Sequence, residues 1–146
     1  MNKSINLFAT ACILSANFAY AEEQYLCTVD RVAGFKYDRV SNQWEQTSFK
    51  ANSKYLLTET DKKTPSEDLP YLLRKVGQEM PIGICEKSFD ESGYLSCKSL
   101  DGEFQFNRKL NRFIIANTFG FVTASPNSSD ESSEQPSIEI GKCFPL

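Results

Sequence analysis

The sequence predicts an all-β domain, a small antiparallel barrel or sandwich of about 8–10 short strands with at most one short helix, braced by two disulfides. Three observations carry that expectation. Short segments rich in Val, Ile, Tyr, Phe and Thr recur between turn signals, while helical periodicity is almost absent. Glycines are scattered singly at turn-like positions such as Asp90-Glu91-Ser92-Gly93 and Leu100-Asp101-Gly102-Glu103. An even set of cysteines, Cys27, Cys85, Cys97 and Cys143, remains once the N-terminal segment is set aside.

That segment, Met1–Ala21, has the pattern of a cleaved secretory signal. Lys3 supplies one positive charge, Ile5–Phe18 is mostly apolar, and Ala19-Tyr20-Ala21 puts small residues where a signal peptidase reads them. The apolar run is interrupted by Asn6, Thr10, Ser15 and Asn17 and falls short of the roughly 20 residues that a membrane span needs. Cys12 lacks the leucine expected three residues before a lipidated cysteine. The expectation is therefore cleavage after Ala21 and a periodic β-rich domain, residues 22–146, in the periplasm or outside the cell, with no membrane span of its own. The whole sequence has 16 basic and 19 acidic residues, a formal net charge of −3. That balance argues against nucleic acid, which demands a concentrated basic face.

In an oxidising compartment four cysteines read as two bridges. Sequence permits three pairings. We favour Cys27–Cys143, which joins the two ends of the domain, with Cys85–Cys97 between neighbouring strands, because the midpoint of that pair falls in the turn 90–93. No Cys-x-x-Cys pair is present to suggest zinc.

Strands are expected near Gln24–Tyr37, Trp44–Phe49, Lys54–Thr60, Tyr71–Gly77, Ile82–Phe89, Tyr94–Leu100, Glu103–Phe106, Arg112–Ala116, Phe119–Ala124 and Ser137–Cys143. Asp101-Gly102 is the strongest hairpin signal, since this dipeptide suits the positive φ angles of a type I′ turn. Thr60–Pro70 reads as a loop, with a short helix over Ser66–Gly77 as the alternative, Pro70 lying in its first turn. Ser125–Ser137 has six serines, two prolines and no apolar side chain, so it is expected to be a mobile loop.

One ten-residue pattern occurs twice. Residues 35–44 and 104–113 both read Phe-x-aromatic-Asp/Asn-Arg-x-x-Asn-x-aromatic, sixty-nine positions apart. The pattern describes a hairpin in which aromatics pair across the strands and Asp/Asn side chains bond the turn backbone. Shared turn chemistry is one explanation and a duplicated half-domain the other.

Much familiar chemistry is excluded. Histidine is absent, which removes Ser-His-Asp and Cys-His catalysis and the usual neutral-pH base. No glycine-rich phosphate loop occurs, and paired cysteines offer no thiol. Asp90, Glu91, Asp101 and Glu103 are the available carboxylates for glycoside hydrolysis, although the favoured reading is that they are turn residues facing water. Asp130, Glu131 and Glu134 lack the order of a calcium loop. No catalytic residue, metal or cofactor is therefore expected. The candidate binding residues are those of the repeated hairpins: Tyr37, Arg39, Trp44, Phe106, Arg108, Arg112 and Phe113. Core packing is the favoured reading of their rings, as for most rings at strand positions of a small β domain, and stacking on a sugar or filling a protein groove is the other. Their arginines would serve an anionic partner if they gather on one edge. The expected function is a non-catalytic exported binding or inhibitor-like protein that presents hairpin loops to an envelope or extracellular protein or glycan. An envelope structural or assembly component is the first alternative, and a carboxylate-dependent hydrolase the second.

Overall fold

A computed structural model of the chain describes residues 23–60, 69–100, 102–119 and 135–146. The proposed signal segment, most of the Ser125–Ser137 loop and the strand expected beyond Phe119 lie outside the described residues. The strands are β1 (Gln24–Asp38), β2 (Gln43–Phe49), β3 (Lys54–Glu59), β4 (Tyr71–Lys75), β5 (Pro81–Cys85), β6 (Tyr94–Ser99), β7 (Gly102–Asn107), β8 (Arg112–Asn117) and β9 (Ser137–Pro145). They form an antiparallel eight-strand barrel with one extra strand. The sheet order is β2-β1-β3-β4-β5-β6-β7-β8-β9, and pairing of β1 with β9 closes it.

Alternation explains why these segments are strands. Along β1, Tyr25, Cys27 and Val29 point inward; along β3, Tyr55 and Leu57; along β7, Phe104 and Phe106; along β8, Phe113 and Ile115. An eight-stranded barrel is just wide enough for its own side chains to fill it. Here Phe104, Phe106, Leu57, Leu73 and Leu95 occupy the interior, each with no more than 1% of its surface exposed. Gly141 is part of this packing. A Cβ there would lie 2.7 Å from the Phe113 ring, which stands opposite it and takes up the space a side chain would need.

Both expected disulfides are present, Cys27–Cys143 and Cys85–Cys97. Cys27 and Cys143 are directly opposed across the β1–β9 seam, so this bridge locks barrel closure. Cys85 and Cys97 continue the β5–β6 register, in which Gly83 faces Ser99 and Ile84 faces Lys98. Two buried bridges of this kind belong to an oxidising environment.

The structure settles one alternative and corrects one detail of the sequence reading. Tyr71–Lys75 is strand β4, the strand expected over Tyr71–Gly77 and not the alternative helix, with Tyr71 and Leu73 alternating into the core. Gly102 is not the second residue of a type I′ turn. It opens β7 opposite Asn117, and a Cβ on it would fall 1.8 Å from the Ala116 carbonyl oxygen. Its glycine serves a close backbone approach, so local turn preference yielded to sheet packing. Asp90–Gly93 does form the expected turn. The Gly93 N–H donates to the Asp90 carbonyl at 2.9 Å, and Asp90 Oδ1 accepts from the Tyr94 N–H at 2.8 Å.

The extra strand arises because β1 is longer than the barrel is tall. Its first part pairs with β3, and its last part, Val32–Asp38, pairs with β2. On its other side β9 ends at Ser137 opposite Gly34. Residues 35–38 therefore run past the rim with β2 as a two-stranded ribbon.

Candidate functional site

The repeated sequence pattern is a repeated structure. In the ribbon, Tyr37 faces Trp44 across the strands and Asp38 Oδ atoms accept from the N–H groups of Val40, at 3.2 Å, and Ser41, at 3.0 Å. In the β7–β8 hairpin, Phe106 faces Phe113 and Asn107 Oδ1 accepts from Lys109, at 3.0 Å, and Leu110, at 3.1 Å. Asn42 and Asn111 close the two turns in the left-handed region, with φ of 55° and 53°. Asparagine tolerates that conformation better than other non-glycine residues. Turn chemistry and cross-strand pairing thus account for the shared Asp/Asn, Asn and facing aromatic positions of the pattern.

The two hairpins point to opposite ends of the barrel. β1 enters its ribbon at the rim where β8 ends and β9 begins, whereas the β7–β8 turn lies at the other rim, beside Glu23 and Gly93. Tyr37, Arg39 and Trp44 are therefore separated from Arg108 and Arg112, and the three arginines do not gather on one edge. Phe106 and Phe113, proposed as stacking surfaces, are interior side chains only 1% and 4% exposed. Burial is the reason: on the second hairpin the paired aromatics sit at barrel positions, and on the first they sit beyond it.

At the β7–β8 rim a compact polar cluster was not anticipated from sequence. The Glu23 carboxylate accepts hydrogen bonds from the Tyr25 hydroxyl and from the Tyr71 hydroxyl, the latter at 2.6 Å. Arg108 Nη1 approaches the two Glu23 oxygens at 3.3 and 3.5 Å, and its guanidinium carbon lies 4.6 Å above the Phe89 ring centre. Phe89 in turn packs against Tyr25, Tyr71 and Phe106. Burial pushes the Glu23 carboxyl up, but the two hydroxyls and the Arg108 charge outweigh it and hold the group below its ordinary 4.5. Burial and the Glu23 carboxylate push the Tyr25 phenol up to about 12 and move Tyr71 in the same direction. All the polar atoms of this cluster serve one another, so it pins the start of β1 to the rim. The participants come from four separate parts of the chain, and only their convergence reveals them.

Tyr55 makes a similar contact lower in the barrel, donating to Glu139 Oε2 at 2.8 Å. Burial, then the Glu139 charge, raises its pKa as well. Among the described residues considered for hydrolysis, Asp90 and Glu103 lie apart. Asp90 bonds its own turn at the start of β6, and Glu103 accepts from Ser96 near the other end of the β6–β7 pair. Asp101, Asp130, Glu131 and Glu134 lie outside the described residues.

The ribbon and its base carry a second group of aromatic side chains. Tyr37 and Trp44 form an edge-to-face pair with ring centres 5.5 Å apart, and the Tyr37 hydroxyl donates to Asn42 Oδ1. One step toward the barrel, Phe35 is 49% exposed. Beneath it lies a mainly apolar groove of about 450 Å³, bounded by Ala33, Phe35 and Gln46 of the ribbon, Asn117 of β8, and Ser137 and Ile138 of β9. No sequence pattern marked this groove, because its walls come from four strands. Arg112 lies apart, at the foot of β8 opposite Lys142.

Fold and surface together define a small, disulfide-braced antiparallel barrel, filled by its own side chains, with a ribbon standing beyond one rim. Compared with known proteins, the chain matches no family model, no curated protein and no solved structure.

Proposed function

We propose that this chain is a small exported binding protein, inhibitor-like in design, that engages another macromolecule with the β1–β2 ribbon. The observation that carries the reading is the reach of β1 beyond the end of β9, which sets Phe35, Tyr37 and Trp44 outside the barrel above an apolar groove. Large amphipathic rings on a rigid support contribute contact area at low entropic cost. The barrel interior is taken up by Phe104, Phe106 and their neighbours, so recognition falls to the outside. The N-terminal signal pattern and the two bridges support a periplasmic or secreted location, after cleavage following Ala21. The partner is an envelope or extracellular protein or glycan.

Affinity capture from the oxidising compartment tests this, with the parent protein compared with Phe35→Ser/Tyr37→Ala and with Arg112→Ala at the far rim. A single partner held at fixed stoichiometry by the parent and Arg112→Ala, and lost by the ribbon variant, is the expected result. Equal retention by the ribbon variant refutes the assignment to this surface. An envelope assembly component remains the second reading, favoured by one observation, the unpaired outer edge of β2 among the described strands.

A further inference from the structure

That edge has a definite hydrogen-bonding phase. The Phe35 N–H donates to the Pro136 carbonyl at 3.0 Å, on the β9 side of β1. Phe35 stands opposite Gln46 in the β1–β2 register. Because Phe35 directs its backbone bonds toward β9, it makes none to Gln46, whose N–H and C=O consequently point away from β1. Backbone direction repeats every second residue. Ser48 therefore also turns its N–H and C=O to the outer edge, while Glu45 and Thr47 bond β1.

Natural sheets blunt such edges with lysine, proline, bulges or short strands. β2 has seven residues, Gln-Trp-Glu-Gln-Thr-Ser-Phe, with neither proline nor lysine. Its register against β1 runs without a shift from Val32–Phe49 to Asp38–Gln43. Gln43–Gln46 of that edge stand beside β1 residues 35–38, past the start of β9.

We propose that the outer edge of β2 pairs antiparallel with the same edge of a second copy of this chain, about a two-fold axis at Gln46. Centred there, the two strands overlap over their whole length. Gln46 faces Gln46 of the second copy and exchanges two backbone hydrogen bonds with it. Trp44 faces Ser48, and Glu45, the sole charge on the strand, faces Thr47, so no like charges meet. This self-complementarity selects a second copy over a foreign strand, and a two-fold contact of one patch with itself closes at a dimer. The pairing uses main-chain groups at the edge and not the rings of the ribbon, so it does not depend on the binding role proposed above.

The test is sedimentation velocity of the full mature protein across a wide concentration range, with amide hydrogen exchange of the same samples. The expected result is a doubling of mass with concentration, accompanied by slowed exchange at Gln46 and Ser48 that scales with dimer. Gln46→Pro removes only an edge-facing N–H and should remain monomeric with near-ultraviolet circular dichroism unchanged. A parent that stays monomeric while Gln46 and Ser48 exchange at every concentration like exposed amides overturns the proposal. So does a folded Gln46→Pro variant that still dimerises. Exchange on the parent decides the matter even where the proline variant fails to fold. A parent that dimerises as expected but captures no foreign partner counts against the ribbon's binding role alone.

Discussion

Removing each disulfide in turn should separate the two bridges by about 2 kcal/mol. Cys27–Cys143 closes a loop with a sequence separation of 116, and Cys85–Cys97 one of 12. If a bridge acts by restricting the unfolded chain, the entropy relation gives about 5 kcal/mol for the long loop and about 3 kcal/mol for the short one. The comparison is well controlled, because all four half-cystines are at most 1% exposed. Cavity costs in Cys27→Ala/Cys143→Ala and Cys85→Ala/Cys97→Ala therefore largely cancel in the difference. Against a total stability of about 5–15 kcal/mol for a domain, losing the long bridge removes between about a third and all of it, so its variant unfolds at clearly lower denaturant than the other. Equilibrium urea unfolding followed by near-ultraviolet circular dichroism measures both. The m-value should also rise most in the Cys27→Ala/Cys143→Ala variant, whose unfolded chain expands most. Equal losses, or a larger loss for Cys85→Ala/Cys97→Ala, would refute the loop-entropy reasoning and place the value of the bridges in native-state packing instead.

Two further outcomes follow from the rim cluster and the turns. Glu23 has its pKa lowered in the folded state, so the stability it contributes is present above the ordinary value of 4.5 and is lost as pH falls below it. Thermal unfolding between neutral and acidic pH should show this loss in the parent, and Glu23→Gln should flatten that part of the profile while lowering the pH at which Tyr25 ionises from about 12 toward 10. Asn111, at φ 53°, should accept glycine with little change and lose about 1–2 kcal/mol on substitution by valine, read from urea midpoints.

The sequence by itself determined the fold class, the bridges and the turns, because these depend on local patterns. Period-two alternation in Phe104-Gln105-Phe106 and Phe113-Ile114-Ile115 marks one face as buried whatever the neighbouring strand is. Asp38/Asn42 and Asn107/Asn111 place side-chain bonds and left-handed backbone within a few residues of each other, so the two turns were legible as one design. Cysteine count and spacing, with the signal pattern, pointed to both bridges. Tertiary structure decided what depends on distance across the barrel. Alternation does not say where a strand shifts register or how far it extends past its neighbour. The shift between Val29 and Arg31 and the overhang leave Tyr37 and Trp44 half-buried against each other while the equivalent Phe106 and Phe113 are buried. Gly102 shows the same limit from the other side, a turn signal overridden by the approach of the Ala116 carbonyl. The Glu23–Tyr71–Arg108 cluster and the groove at the ribbon base draw on residues distant in sequence, so closure of β1 onto β9 is what brings both into being.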